Sequence, residues 1–139
     1  MDFRNGKDKT NSMIYYTLAP KKNVLQPEMP IRYYAIAVSR GTADLRSIAE
    51  SISQRSSVST IDTMAVIEAL LNLIPEELAE GRIVKLGDFG SFSLSIRSEG
   101  IEDPAKFHPS KIGERVVHFR AGKEFRKRLV NLKFGKDPR

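Results

Sequence analysis

The chain has 139 residues, enough for one compact domain with appendages and too few for two large catalytic domains. With 40% hydrophobic and 29% charged residues it is neither collagen-like nor compositionally disordered, and with no cysteine it has neither disulfides nor thiolate metal sites. The net charge of +6 is unevenly spread: residues 1–40 hold seven basic and three acidic side chains, residues 41–110 six and eleven, and residues 111–139 ten and three, so the strongest positive field belongs to the last fifth.

No apolar run approaches the roughly 18 residues of a membrane span, and the polar N-terminus lacks the apolar segment of a signal peptide. A soluble, cytoplasmic protein without a membrane partner is expected. Two histidines, His108 and His118, leave little for a nitrogen-rich metal site, so neither metal nor cofactor is expected.

Residues 1–12 carry no apolar period and read as a flexible tail. Met13–Leu18 and Ile31–Val38 are rich in β-branched and aromatic residues, which suit a pleated surface, and together predict an N-terminal β extension over 13–41. Pro20, Pro27 and Pro30 favour an irregular connector between them. The period then changes: Leu45, Ile48, Ala49 and Ile52 mark one face of a short helix. Ser59 is placed to cap a second helix, with Asp62 as a reciprocal partner, and Val66, Ile67, Leu70, Leu71, Ile74 and Leu78 continue its apolar face. Pro75 predicts a kink and Gly81 a C-terminal stop.

Beyond Gly81, the segments Arg82–Leu86 and Ser91–Arg97 flank Gly87 and Gly90 as a β-hairpin, with Phe92, Leu94 and Ile96 alternating against Ser91, Ser93 and Ser95. An irregular span from Ser98 to Gly113 precedes a return strand near Arg115–Phe119, a turn at Arg120–Lys123 and a final helix on Phe125, Leu129 and Leu132. The last residues, 133–139, read as a basic tail.

The run Gly81-Arg82-Ile83-Val84-Lys85-Leu86-Gly87-Asp88-Phe89-Gly90-Ser91-Phe92, followed by Phe119-Arg120-Ala121-Gly122-Lys123, resembles the bacterial HU/IHF-like histone family, in a variant with an added N-terminal segment. The resemblance covers about residues 42–132. It implies an α+β fold: a two-helix N-terminal body, an antiparallel sheet with a protruding arm, a C-terminal helix, and two copies intertwined as a homodimer. It also implies duplex DNA binding through the backbone and minor groove, with an arm proline that wedges into the duplex.

Carried over residue by residue, Arg97 falls near the base of the arm, and Arg120, Lys123 and Arg126 fall where the turn and last helix supply backbone contacts; Lys127 and Arg128 extend that cluster. Lys106, His108, Lys111 and Arg115 form a second basic group around Pro109, fitting either an arm-side DNA contact or an exposed loop. Pro104 and Pro109 are the candidate wedges, or residues that only shape the loop. The family's Arg-Asn-Pro arm tip is absent, and Glu99, Glu102 and Asp103 stand in that region, which opposes deep insertion. Ser95 replaces a common basic residue and Ala121 the usual proline.

Tyr15, Tyr16, Tyr33 and Tyr34 read as the packed side of the added strands, with base stacking as the other option. Lys21 and Lys22 suit either an auxiliary phosphate contact or an ordinary surface loop. No catalytic constellation appears: Gly87-Asp88-Phe89-Gly90 is unlike a phosphate loop, and its hairpin context opposes a kinase reading. The expectation is a non-enzymatic, nucleoid-associated architectural protein with little sequence preference and no small-molecule substrate. The alternative is a scaffold domain that keeps the fold without tight DNA binding.

Overall fold

The computed structural model describes residues 12–139. The expected tail at 1–12 therefore lies, but for Ser12, outside the described residues. The chain is mixed α+β and runs β1 (Met13–Lys21), β2 (Arg32–Ala37), α1 (Leu45–Ser53), α2 (Thr60–Ala79), β3 (Val84–Leu86), β4 (Gly90–Ser98), β5 (Ile112–Ala121), α3 (Lys123–Lys127) and β6 (Lys133–Lys136). It divides into two compact units, one made of the chain up to Thr42 together with Val130–Arg139, the other of Ala43–Leu129.

The first unit is a three-stranded sheet in the order β2-β1-β6. β1 and β2 are antiparallel, from Tyr16↔Ala37 to Lys21↔Arg32, and β6 runs parallel to β1 from Met13↔Lys133 to Tyr16↔Lys136. The Asp137 N–H extends this ladder to the Tyr16 carbonyl at 2.9 Å. Lys133–Lys136 is thus a strand and not part of a basic tail. With Phe134 as its one large apolar residue, it offers no readable period; backbone pairing with β1 makes it a strand. The two-residue period sends Tyr15 and Tyr16 to opposite faces, as it does Tyr33 and Tyr34, so the tyrosines do not form one packed side. Tyr15 and Tyr16 are half-buried, whereas Tyr33 and Tyr34 are exposed.

In the second unit, Asp44 caps α1 by accepting from the Ser47 N–H at 2.8 Å, and that hydrogen bond holds its carboxyl below the ordinary range. Ser59 caps α2, accepting from the Asp62 N–H at 3.1 Å. The reciprocal contact differs from a full capping box: the Ser59 hydroxyl donates to the Asp62 carboxylate at 2.6 Å, because aspartate is one methylene shorter than the glutamate that reaches back to the cap N–H. α2 continues through Pro75 without a break in its helical span. It ends where expected. Gly81 takes φ +76°, its N–H donates to the Leu78 carbonyl and the Arg82 N–H to the Glu77 carbonyl, each at 3.0 Å, which is a Schellman termination that glycine permits without steric cost.

β3, β4 and β5 form the second sheet in that order, all antiparallel. α3 covers only Lys123–Lys127, so the final helix is shorter than the Phe125–Leu129–Leu132 spacing predicts. After Lys127 the Leu129 N–H closes a tighter turn on the Arg126 carbonyl, and the following residues are drawn into the backbone pairing of β6.

The apolar faces of this unit are largely uncovered. Among the described residues only Ala49, Thr63, Leu78 and Gly90 are buried, while Val66 is 67% exposed and Ile48, Ile52, Leu70 and Leu71 are also exposed. The expected helical core faces exist as patterns, but one copy of the chain does not close them.

Candidate nucleic-acid interface

The β4–β5 ladder sorts its side chains by register. Phe92↔Phe119, Leu94↔Val117 and Ile96↔Arg115 share one face; Ser91↔Arg120, Ser93↔His118, Ser95↔Val116 and Arg97↔Glu114 share the other. The first face leads into an aromatic cluster in which Phe119 lies 4.9 Å from Phe92, 5.6 Å from Phe89 and 6.1 Å from Phe125, ring centre to ring centre. These spacings are those of tilted and edge-to-face packing, so the rings pack on one another, while Phe89 and Phe119 stay exposed in a single chain.

The opposite face is polar except for Val116. Three serines alternate along β4, and the Ser95 hydroxyl shares a hydrogen bond with His118 Nε2 at 2.7 Å. Arg97 and Arg120 stand on this serine face, toward opposite ends of the ladder. Arg115 stands on the apolar face beside Ile96, and so is separated from them. Grouping these residues by sequence neighbourhood misses that division. The signal that reveals it, and that adds His118 to the serine face, is the period of two in β5.

The ladder ends with a bulge: Arg97 pairs with Glu114 and Ser98 with Ile112, leaving Gly113 as the extra residue. Beyond it, Asp103 and His108 each cap a short 3-10 turn, Pro104–Lys106 and Pro109–Lys111, in which the proline is the first residue. Both prolines fill a position that needs no donor, and both are exposed.

Charge pairing separates the basic residues further. Arg97 donates to Glu114 at 3.1 Å and Lys111 to Glu99 at 2.9 Å, so two cations of the arm are already matched by its carboxylates. All four side chains are exposed, and such pairs are weak and exchangeable. Arg82 is engaged by Glu77, whose carboxyl that hydrogen bond holds below its usual range. By contrast Arg120, Lys123, Arg126 and Lys127 are exposed and, among the described residues, have no carboxylate within ion-pair distance, as is true of Lys106 and Arg115.

Gly122 holds this cationic turn in place. Its N–H donates to the Phe89 carbonyl at 2.7 Å, and a Cβ at this position would collide with the Asp88 carbonyl, so the turn is pressed against the β3–β4 reversal. It also caps α3, which carries Arg126 and Lys127 in its last turn, where cations favour the helix dipole. Among the described residues no group of histidine and carboxylate side chains could hold a metal ion, and no helix is long and apolar enough to cross a membrane.

Comparison with known proteins agrees with this architecture. A family described as an HU domain fused to wHTH, Ig, or Glycine-rich motif matches residues 13–136. The integration host factor subunit beta of Bordetella parapertussis is 39% identical over 70 residues, covering 49% of this chain, and the chain spans 59% of that relative's length. The integration host factor subunit alpha of Rhizorhabdus wittichii is 33% identical over 98 residues, covering 69% of this chain and 98% of the relative. The Anabaena HU–DNA cocrystal structure superposes with a TM-score of 0.51 at 26% identity, over 64% of this chain and 99% of that one. A crystal structure from Bacteroides vulgatus, at 13% identity, shares the fold over 94% of this chain and 51% of its own, with a TM-score of 0.66. With the Gly81–Phe92 run, the Phe119–Lys123 turn and the two-helix body all in their places, the chain belongs to the HU/IHF-like family, in its group of HU domains fused to a further motif.

Proposed function

We propose that this protein is a non-enzymatic architectural protein of the nucleoid, acting in the cytoplasm, that binds duplex DNA as a homodimer with little sequence preference. The observation that carries the reading is the exposed cation set Arg120, Lys123, Arg126 and Lys127, free of carboxylate partners among the described residues and standing where the serine face of β4 and β5 begins. Small serine side chains let a duplex backbone approach closely, and flanking lysine and arginine neutralise phosphates without reading base edges. The HU of Anabaena has been crystallised with DNA, which supports the same ligand here.

Dimerisation follows from the open apolar faces. Val66, Leu70 and Leu71 on α2, and Leu94, Val117 and Phe119 on the sheet, are too extensively exposed for a lone soluble chain, and a second copy covers them in a symmetric assembly. Arg97, Lys106, Lys111 and Arg115 act as secondary contacts, Arg97 and Lys111 by exchanging Glu114 and Glu99 for phosphate. Pro104 and Pro109 chiefly shape the excursion between β4 and β5; nearby Glu99, Glu102 and Asp103 oppose deep insertion and sharp bending.

A scaffold role without tight DNA binding remains the second reading, favoured by one feature: Ala43–Leu129 contains thirteen basic and thirteen acidic residues and is electrically neutral. A duplex titration separates the two. With about six to ten phosphate contacts per dimer, affinity falls by about 10³–10⁵ between 50 and 200 mM salt. Absence of binding at 50 mM leaves the scaffold reading.

A further inference from the structure

Neutrality of the Ala43–Leu129 unit places the excess positive charge elsewhere. Within the described part of the other unit, residues 12–42 and 130–139, there are seven basic and two acidic side chains. Three of those cations converge. Lys21 ends β1 and pairs in register with Arg32, which begins β2, and Lys22 follows at the start of the connector. Together with Asn23, Pro30 and Tyr34 they line a cleft of about 300 Å³ that has no carboxylate in its wall. The Lys21 ammonium sits 5.4 Å from the centre of the Tyr34 ring, an arrangement that holds the cation over the cleft without neutralising it. None of the three cations has an ion-pair partner among the described residues.

Resting on the duplex-binding reading, we infer that the Lys21–Lys22–Arg32 cleft is a second DNA-backbone site, carried by the added sheet, that supplies electrostatic attraction the neutral HU-like unit lacks. The ligand chemistry is the phosphodiester group. Lysine and arginine donate to its non-bridging oxygens, the Asn23 amide and Tyr34 hydroxyl add neutral donors, and the lining offers no means of telling one base from another. Pro30 fixes its own φ and restricts Met29 before it, so this part of the cleft lining is restricted backbone. Lys21 and Lys22, ambiguous as neighbours in sequence, gain a role from Arg32 across the strand pair.

The test is a titration of the full chain with a fluorescent 25-bp duplex across 50–200 mM salt, comparing wild type with K21Q/K22Q/R32Q and with the charge-conserving K21R/K22R. All three side chains are exposed, so folding is checked by circular dichroism and is expected to be unchanged. The expected result is a salt slope reduced by about 3 for each protomer in the glutamine variant, and a wild-type slope in the arginine variant. An unaltered slope in K21Q/K22Q/R32Q, with wild type still binding, overturns this site and leaves the duplex-binding reading standing. Failure of wild type to bind at 50 mM overturns both.

Discussion

Replacing Arg120, Lys123 and Arg126 together by glutamine is expected to weaken duplex binding uniformly across sequences and to lower the salt slope by about 5 in a dimer, close to one for each of the cations removed. The effect is electrostatic. Each of these side chains is exposed, and each lacks a carboxylate within ion-pair distance among the described residues, so a phosphate displaces counterions and not a protein partner. The same substitutions should leave thermal stability nearly unchanged, since no buried contact is lost. Fluorescence anisotropy at several salt concentrations measures the slope, and equal slopes for wild type and variant would remove these residues from the interface. A parallel R97Q variant should lower the slope by less than one, because Glu114 already offsets part of the Arg97 charge.

Phe119→Ala is expected to destabilise the folded dimer by about 3–5 kcal/mol, the range for deleting an aromatic ring from a closed core. Within one chain Phe119 is 43% exposed although three other rings surround it. A side chain that remained so open would cost much less to remove. The full cost therefore depends on a second copy covering the exposed part, and it should appear as a concentration-dependent urea midpoint together with a shift toward monomer in sedimentation. A loss of about 1 kcal/mol or less, independent of protein concentration, would mean that the aromatic face is not a dimer core.

Sequence carried the fold where the side-chain pattern is strong. The i, i+3, i+4, i+7 stripe of α1, the Ser59 cap, the Gly81 stop and the serine–apolar alternation of β4 are each visible as local chemistry, and each lies where its chemistry requires. It was silent where structure is decided by distant partners. Lys133–Lys136 becomes a strand through backbone bonds to β1, more than one hundred residues earlier, and α3 stops at Lys127 although leucines continue at helical spacing. The candidate interface shows the same limit. Residue types identified the cations, but the β4–β5 register was needed to put Arg97 and Arg120 on one face and Arg115 on the other. Likewise Lys21 and Lys22 meet Arg32 only through the β1–β2 pairing.

The central claim is that the serine face of β4 and β5, with the cationic turn beside it, follows the backbone of a duplex. Amide shifts of isotope-labelled protein on addition of an unlabelled 20-bp duplex test this most directly. The account predicts that the largest changes fall at Ser91, Ser93, Ser95, Arg97, His118, Arg120 and the Lys123–Lys127 helix, with the buried Ala49 and Leu78 nearly unmoved. Changes confined to α1 and α2 with a silent serine face would contradict it.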